Sequence, residues 1–324
     1  MPTIQSKWGA WSIGADGESR FNLSSSGSVA ALLAGSDLAL CAEAAGSDLA
    51  LPVPGPKEMA AAQVEARGEA ERFVISGGIA QVALRGILTK SSGFARYFGW
   101  STYDGLAESL ADLGERSDVS AIVLRVDSPG GQIHGIPRAV EALRAVAAKK
   151  PLYAVCDGVV ASAAYWLASQ AQEISLSRGS WVGSVGVLST AAAPVGPDLW
   201  GEQAFIITSR HAGAKRPDPS TEAGRALIQA RADALEDEFL ADVAQGRGIE
   251  RGELVKRLSL SGEAANGGDV FWNEDAVARG LVDRIEDPQA ALDRISAAHG
   301  RKAAPRRSAS ARAQAAAAAA IASL

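Results

Sequence analysis

The chain has 324 residues, of which 47% are apolar and 21% charged, the balance of a globular protein that can bury a sizeable core. Its formal net charge is −5, and because residues 301–324 hold five basic and no acidic side chains, the 300 residues before them carry −10. That acidity argues against general nucleic-acid binding. The two cysteines, Cys41 and Cys156, are too few for a disulfide framework and predict a reducing compartment, and no cluster of Cys and His residues indicates a metal.

The sequence predicts neither a membrane span nor a signal peptide. The apolar run near the start, Val29–Ala34, is far shorter than the ~18 residues that a spanning helix needs. The opening MPTIQSKWGAWS lacks a continuous apolar region after a basic start. We therefore expect a cytoplasmic protein without a membrane anchor.

Residues 1–72 are rich in Gly, Ser and Ala and end near a proline-rich stretch at Pro52–Pro56. This composition predicts a partly flexible N-terminal arm. Phe73–Thr89 then alternates apolar residues around a Gly-Gly pair, which predicts a β-hairpin. We expect this hairpin to begin a folded domain that spans residues 73–296.

The middle of the chain has the pattern of a βαβ unit. The run AIVLRVD at Ala121–Asp127 is apolar almost throughout, as in a parallel strand covered on both faces. Apolar residues at helical spacing follow from Ile136 to Val146, and LYAVC at Leu152–Cys156 predicts the next strand. Short connections between these elements predict a parallel sheet and an α/β fold.

Further elements are predicted along the rest of the chain. They are a helix at Ser162–Ala171, strands at Glu173–Ser177 and Ala204–Thr208, a Gly-punctuated strand or turn at Trp181–Leu188, a long helix at about Ser220–Gln245, short helices at Glu253–Leu258 and Glu274–Arg279, and a strand at Leu281–Ile285. Residues 297–324 turn to Ala, Arg and Ser, which predicts a low-complexity tail.

Two strand-to-helix turns carry the candidate chemistry. Asp127-Ser128-Pro129-Gly130-Gly131 would expose backbone N–H groups suited to an oxyanion or a phosphate, although such a sequence is also an ordinary turn. Ser162 opens the next helix, where a serine could be a nucleophile or only an N-cap. The pairing of both turns at one sheet edge favours an active site.

A serine nucleophile needs a base, and four residues are candidates. The chain holds three histidines, His134, His211 and His299, and Lys215 lies in a polar loop. A lysine side chain has a reference pKa of about 10.4, and burial lowers the pKa of lysines by up to ~3 units, enough to supply a neutral base. A solvated lysine beside an arginine is the alternative that composition alone favours.

Five motifs in order, DSPGG, ASAAYWLAS, VGSVGV, AGAKRPDP and AVARGLVD, resemble the signal peptide peptidase A family of serine peptidases. Within it the chain is most similar to the phage-type branch of prohead and capsid maturation proteases, over about residues 73–285. The resemblance implies a Clp-protease-like, crotonase-type α/β fold. It also implies Ser162 as nucleophile, Lys215 as general base and Ser184 as the residue that orients the lysine.

The same resemblance implies an oxyanion hole formed by the backbone N–H of Gly130 or Gly131 and that of Ala163. One feature departs from the family pattern, because only Ala214 separates Gly213 from Lys215, where signal peptide peptidases usually have two residues. The 53-residue spacing from Ser162 to Lys215 resembles the family. No histidine occurs between Tyr165 and Arg210, which favours lysine over a Clp-type histidine as the base.

The resemblance implies a serine endopeptidase without metal or cofactor that cleaves scaffold and capsid proteins in the host cytoplasm or the assembling capsid. It also implies a homo-oligomeric ring in which neighbouring copies complete one another's sites. Three alternatives stay open: degradation of peptides like a signal peptide peptidase, a crotonase-type acyl-CoA enzyme, and a capsid or scaffold component without catalysis.

Overall fold

The structure is a computed structural model that describes residues 73–91, 95, 100–194, 196–197 and 201–300, together with four short strands before residue 53. Those four are β1 (Thr3–Ser6), β2 (Gly9–Ile13), β3 (Ser19–Asn22) and β4 (Ala50–Pro52). They form an antiparallel sheet in the order β1-β2-β3-β4.

A second sheet of eight strands forms the centre of the fold. Its members are β5 (Phe73–Ser76), β6 (Ile79–Leu88), β7 (Ala121–Gly131), β8 (Leu152–Ala161), β9 (Glu173–Leu176), β10 (Trp181–Gly183), β11 (Val270–Trp272) and β12 (Arg284–Ile285). The main path runs β11-β10-β8-β7-β6-β5, and β9 pairs with both β8 and β12. The central strands β6, β7, β8 and β10 are parallel, so their carboxyl ends lie at one edge.

Seven helices connect or cover the described strands. They are α1 (Tyr103–Glu115), α2 (Ile136–Ala147), α3 (Ala163–Ala168), α4 (Glu222–Arg247), α5 (Arg251–Leu258), α6 (Asn273–Ala278) and α7 (Pro288–His299). Their ends follow local chemistry: α4 begins where the Thr221 hydroxyl accepts the Gly224 N–H at 3.0 Å, and it ends at Gly248, which has a left-handed backbone.

Alternation along the central strands gives the sheet two buried faces. On one face Ile122 and Leu124 of β7 pack in a large core with helices α1 to α4. On the other, Val123 packs in a smaller cluster with Ile295 of α7. Because successive strand residues point to opposite faces, a nearly continuous apolar run is what a doubly covered strand requires. The interpretation of AIVLRVD as such a strand is therefore confirmed.

Strand β8 changes its partner halfway along its length. Residues 153–156 pair with β9, whereas residues 159–161 pair with β10. The register with β7 shifts over the same stretch, between Val126 and Ser128, and Gly158 there has φ +119°. The second half of β8 therefore delivers its carboxyl end, Ala161, next to β10 and β7.

The predicted α/β class and βαβ units are confirmed, as is the hairpin over Phe73–Thr89. The strand predicted at Ala204–Thr208 is wrong, because these residues form no strand and are exposed. Their β-branched and aromatic residues favour a strand but meet no neighbouring strand in the described chain. Helix α7 was not predicted. It reaches His299, past the boundary expected at residue 296, while the division into arm, domain and tail stays a prediction.

Candidate active site

Ser162 occupies a strained position at the end of β8. Its backbone has φ 53° and ψ −127°, a conformation that L-residues rarely adopt, and its side chain makes no hydrogen bond as a cap of α3. The backbone N–H of Ser162 donates to Gly183 O at 2.8 Å, which fixes the turn against β10. The serine is therefore held at the mouth of α3 for some purpose other than capping the helix.

The Gly130-Gly131 turn lies directly against Ser162. A Cβ atom at Gly130, which has φ +106°, would lie 2.8 Å from Ser162 Cβ and 3.0 Å from Ala163 N. A Cβ atom at Gly131 would lie 1.9 Å from Leu88 O. Only glycine fits at both positions, because any side chain would collide with the serine or with β6. The turn consequently presents bare backbone to the space beside Ser162.

The amides of this turn are not equivalent. The Gly130 N–H donates to Ser128 Oγ at 3.1 Å and is already engaged. Gln132 donates its N–H to Leu88 O at 2.9 Å, and because consecutive strand residues direct their N–H groups to opposite sides, the Gly131 N–H points away from β6. Ala163 is the first residue of α3, where helical geometry provides its N–H with no partner inside the helix. The N–H groups of Gly131 and Ala163 are therefore the candidate donors beside the serine.

Ser184 follows the end of β10, the strand next to β8. Gly183 pairs with Ala161 in parallel register, so Ser184 and Ser162 stand side by side at the same edge. Ser184 shares the unusual backbone of Ser162, with φ 50°, and its N–H donates to Asp269 O at 2.8 Å. Both serines are buried, 6% exposed for Ser162 and 5% for Ser184. The sheet therefore brings together three of the predicted features: the glycine turn, Ser162 and Ser184.

Lys215 lies outside this group. It ends a 3₁₀ turn, Gly213–Lys215, in a segment whose side chains are largely exposed, and Lys215 itself is exposed. The turn is held from α4, where Arg231 donates to Ala214 O at 2.6 Å. The structure of the single chain thus places the predicted nucleophile in a buried setting and the predicted base in an open one.

An apolar pocket adjoins Ser162 and does not include Lys215 in its lining. Its walls are Gly131, Ile133, Ile136, Ser162, Ala163, Trp166, Gly186, Val187, Leu188 and Phe239. Trp166 stacks on Phe239 of α4 with ring centroids 4.2 Å apart and planes within 5°. The indole Nε1–H donates to Asp242 Oδ2 at 2.8 Å, and Arg144 holds the other oxygen at 2.8 Å. Aromatic stacking and this charged anchor keep the pocket wall in place.

Sequence reasoning missed the part that α4 plays in this pocket. The helix was predicted, but the element that its apolar face would pack against was not. Helical periodicity reveals which face of a helix is apolar, and it carries no information about the partner of that face. Glu236, one turn earlier on α4, lies near Gly186, and burial is the main cause that raises its pKa above the ordinary carboxyl value.

The three histidines that were candidate bases lie in different settings. His134 and His211 are exposed. His299 ends α7 on the opposite face of the sheet, where its Nε2 lies 2.7 Å from the hydroxyl of Tyr153. The buried thiol of Cys156 belongs to the core, and desolvation raises its pKa to about 12, so it is unsuited to nucleophilic chemistry at neutral pH.

Within the described ranges, no helix combines the length and the apolar character needed to cross a membrane. Among the same residues, no group of three or more His, Cys, Asp or Glu side chains is arranged to hold a metal ion.

Comparison with known proteins supplies independent information. Residues 144–302 match the model of Peptidase family S49. The chain is 27% identical over 228 residues to the head-tail preconnector protein GP5 of Enterobacteria phage P21, and 26% identical over 223 residues to the capsid assembly protease C of Escherichia phage lambda. These alignments cover 70% and 67% of this chain but 44% and 48% of the relatives. The chain therefore spans about half the length of those two proteins.

Cellular peptidases are also similar to the chain. Protease 4 of Salmonella typhi is 29% identical over 192 residues, which cover 57% of this chain and 29% of that protein. Among solved structures, an enoyl-CoA hydratase/isomerase family member aligns over 70% of this chain and 73% of its own, with 18% identity and a TM-score of 0.38. That TM-score is too low to support any argument about function.

Proposed function

We propose that this chain is a serine endopeptidase that hydrolyses peptide bonds through an acyl-enzyme, a proposal supported by the match of residues 144–302 to the model of Peptidase family S49. The observation that carries this proposal is the backbone of Ser162, which is held at φ 53° against the bare Gly130-Gly131 turn without a capping role. Strain of this kind at a strand-to-helix turn exposes a serine oxygen to a substrate.

The chemistry follows from a Ser-Lys pair. Neutral Lys215 Nζ accepts the proton of Ser162 Oγ as this oxygen attacks the scissile carbonyl carbon. The peptide C–N bond then breaks, Lys215 returns the proton to the leaving amine, and the acyl group stays on Ser162 as an ester. In the second half Lys215 takes a proton from water as the water oxygen attacks the ester carbon. The bond between that carbon and Ser162 Oγ then breaks, and Lys215 returns the proton to Oγ, which restores the serine hydroxyl and releases the acid product. Ser184 orients the lysine amine in both halves.

Charge that develops on the carbonyl oxygen needs two aligned donors. We assign these to the N–H groups of Gly131 and Ala163, in preference to Gly130, because the Gly130 N–H already donates to Ser128. A pair of fixed amides stabilises the tetrahedral intermediate without reorganisation during the reaction. No step in this scheme requires a metal or an organic cofactor.

The exposure of Lys215 motivates the proposal of a homo-oligomer. A lysine accepts a proton only in its neutral form, and removal of water favours that form. Just before the lysine turn, Phe205 is 76% exposed and Ile207 is 91% exposed. Apolar side chains this exposed are typical of a surface that another chain covers. We propose that a second copy covers this segment, as in a closed ring. Lys215 would then lie next to Ser162, either that of its own chain or that of the neighbouring copy.

The substrates we propose are scaffold and capsid proteins in the host cytoplasm or the assembling capsid. Two relatives support this class, since one is named a capsid assembly protease and the other a head-tail preconnector protein. The pocket beside Ser162 is lined by Ile133, Leu188 and other apolar residues. We expect it to take a small apolar side chain of an extended, unfolded segment.

A serine-reactive fluorophosphonate tests the proposal directly. Intact-mass analysis should find one adduct per wild-type chain, located on the peptide that contains Ser162, and none on Ser162→Ala. Cleavage of unfolded, fluorescently labelled casein should disappear in the same variant, while its thermal midpoint stays near that of wild type. Wild-type protein that neither reacts with the phosphonate nor cleaves the polypeptide would refute the proposed activity.

A further inference from the structure

We propose that Ser128 is a positioning residue that aligns the glycine turn with Ser162. This inference rests on the proposed peptidase function and extends it to a side chain that does not touch the reacting atoms. Ser128 lies in β7 two residues before Gly130 and has no exposed surface. Its hydroxyl joins two backbone groups from different strands.

One side of this bridge reaches β6. The Ser128 hydroxyl donates to Gly86 O at 2.6 Å. Gly86 sits where the register between β6 and β7 shifts, between Arg85 and Ile87, and its φ is +65°. A bulge of this kind takes a carbonyl out of the ladder, and a buried carbonyl without a partner costs free energy. Ser128 supplies the partner that the bulge would otherwise lack.

The other side of the bridge reaches the turn. Ser128 Oγ accepts the Gly130 N–H at 3.1 Å, so one hydroxyl acts as donor and acceptor at once. Two adjacent glycines are the most flexible dipeptide that a chain can have, and Gly130 already stands at φ +106°. The hydrogen bond removes that freedom by fixing the first amide. The second amide, at Gly131, is thereby left to face the site.

The two glycine amides therefore have different roles: the Gly130 N–H is held by Ser128, and the Gly131 N–H faces the site. Without the hydroxyl, the Gly130 N–H and the Gly86 carbonyl would both lose their partner, and the turn could rotate either glycine amide toward the substrate. Donors in an oxyanion hole act only when they are held on the oxygen of the transition state, and a misplacement near 1 Å costs on the order of 10²-fold in rate. Ser128 should therefore affect the chemical step far more than substrate binding.

Ser109 offers a matched control. It is 4% exposed, and its hydroxyl donates to a backbone carbonyl, Gly105 O, at 2.8 Å, but it lies within helix α1. Ser109→Ala and Ser128→Ala each delete one buried hydroxyl and its hydrogen bond to a backbone carbonyl, and Ser128→Ala also deletes the bond from the Gly130 N–H. A general loss of stability would affect both variants, whereas a role in positioning affects only Ser128.

The test compares kcat and KM of wild type, Ser109→Ala and Ser128→Ala on one quenched-fluorescent peptide. It adds the affinity of a peptide boronic acid, which forms a tetrahedral adduct, against that of the corresponding unreactive peptide amide. We expect Ser128→Ala to lower kcat by roughly 10- to 100-fold with KM within about threefold. Boronate affinity should fall by a similar factor and amide affinity should not change. Ser109→Ala should match wild type.

Ser128→Cys keeps the shape of the side chain and replaces the hydroxyl with a weak donor and acceptor. It decides the question if Ser128→Ala does not fold, and we expect kcat to fall by roughly 10-fold with KM unchanged. With an active wild type, full kcat in both variants, or equal losses of amide and boronate affinity, would overturn the role of Ser128 and leave the proposed function intact. An inactive wild type would refute the proposed function instead.

Discussion

Two regions that serve the same proposed reaction differ sharply in how the chain builds them. The strand-end region, which comprises Gly130, Gly131, Ser162 and Ser184, is buried, and the two serines are fixed by backbone hydrogen bonds to Gly183 O and Asp269 O. The lysine segment, residues 204–215, is exposed and forms no strand. The first region is complete in one chain. The second is open in the single chain.

The difference has a physical origin. Parallel strands end at a common edge, so a short turn after each strand places its residues beside those of the next. Strained backbone at Ser162 and Ser184 persists because the sheet determines it from several sides. Residues 204–215, in the connection between β10 and α4, form no strand and lack such a framework. The predicted nucleophile is therefore organised within the sheet, whereas the predicted base is not.

The largest expected effect is at the strand-end region itself. Ser162→Ala removes the oxygen that forms the acyl-enzyme and should lower kcat by at least ~10⁴-fold without a change in fold. Ser169→Ala is the control, because Ser169 is also buried and its hydroxyl donates to Trp166 O at 2.7 Å at the far end of α3. Polypeptide cleavage and circular dichroism measure both. Substantial cleavage by Ser162→Ala would remove this residue from the chemistry.

The lysine segment should have the next largest effect. Lys215→Ala should lower kcat by ~10³-fold or more, because the serine then lacks a base. Lys256→Ala, a change at another exposed lysine on α5, should leave kcat unchanged. Wild-type kcat in Lys215→Ala would contradict the proposed dyad.

Mixing the two inactive variants asks which chain supplies the base. If Lys215 serves the Ser162 of a neighbouring copy, Ser162→Ala and Lys215→Ala protein should regain part of the wild-type rate when unfolded and refolded together. A mixture that remains as inactive as its components would mean that each lysine serves its own chain. Size-exclusion chromatography with light scattering gives the oligomeric state in parallel.

A pair of glycine variants separates strain from contact with the site. Gly130→Ala and Gly179→Ala both introduce a side chain at positive φ, +106° and +84°, and each strained position costs about 1 kcal/mol or more. Only the new Cβ at Gly130 would meet Ser162, at 2.8 Å, while Gly179 has open space around it. We expect a loss of roughly 10²-fold in kcat for Gly130→Ala and none for Gly179→Ala. Equal kcat values in the two folded variants would show that close contact between the Gly130 turn and Ser162 is not needed for catalysis.

The smallest effect concerns stability rather than catalysis. Glu236 has a raised pKa in the folded chain, chiefly through burial, with Asp233 and Asp237 adding to the rise and Arg251 opposing it. The folded state then binds more protons than the unfolded state between the ordinary pKa of a glutamate, about 4.3, and the raised value, so stability falls as pH rises through that window. Glu236→Gln should therefore raise the thermal midpoint at pH 8 and have little effect near pH 4.

Glu238→Gln is the control, because it makes the same change of charge at an exposed position of the same helix. Differential scanning fluorimetry at several pH values measures both variants. A midpoint difference that is the same at pH 4 and pH 8 would show that burial of the carboxylate is not its cause.

The sequence alone determined much of the strand-end region. The order of strands and helices, the two turns, and the positions of Gly130 and Ser162 were all predictable, because a strand, a tight turn and a helix are encoded by neighbouring residues. Motif order likewise indicated the peptidase family that the comparisons then matched. A strand at Ala204–Thr208 was predicted wrongly, since strand propensity cannot reveal whether a partner strand is present.

Tertiary structure alone decided how those pieces meet. Ser184 stands beside Ser162 because β8 changes partner and pairs with β10. Phe239 of α4 stacks on Trp166 in the wall of the pocket. The Ser128 hydroxyl accepts the hydrogen bond of the Gly130 N–H. Each contact joins residues whose proximity depends on strand register or on the packing of a distant helix. Local patterns fix the type of an element, whereas register and packing are settled only when all the elements are buried together.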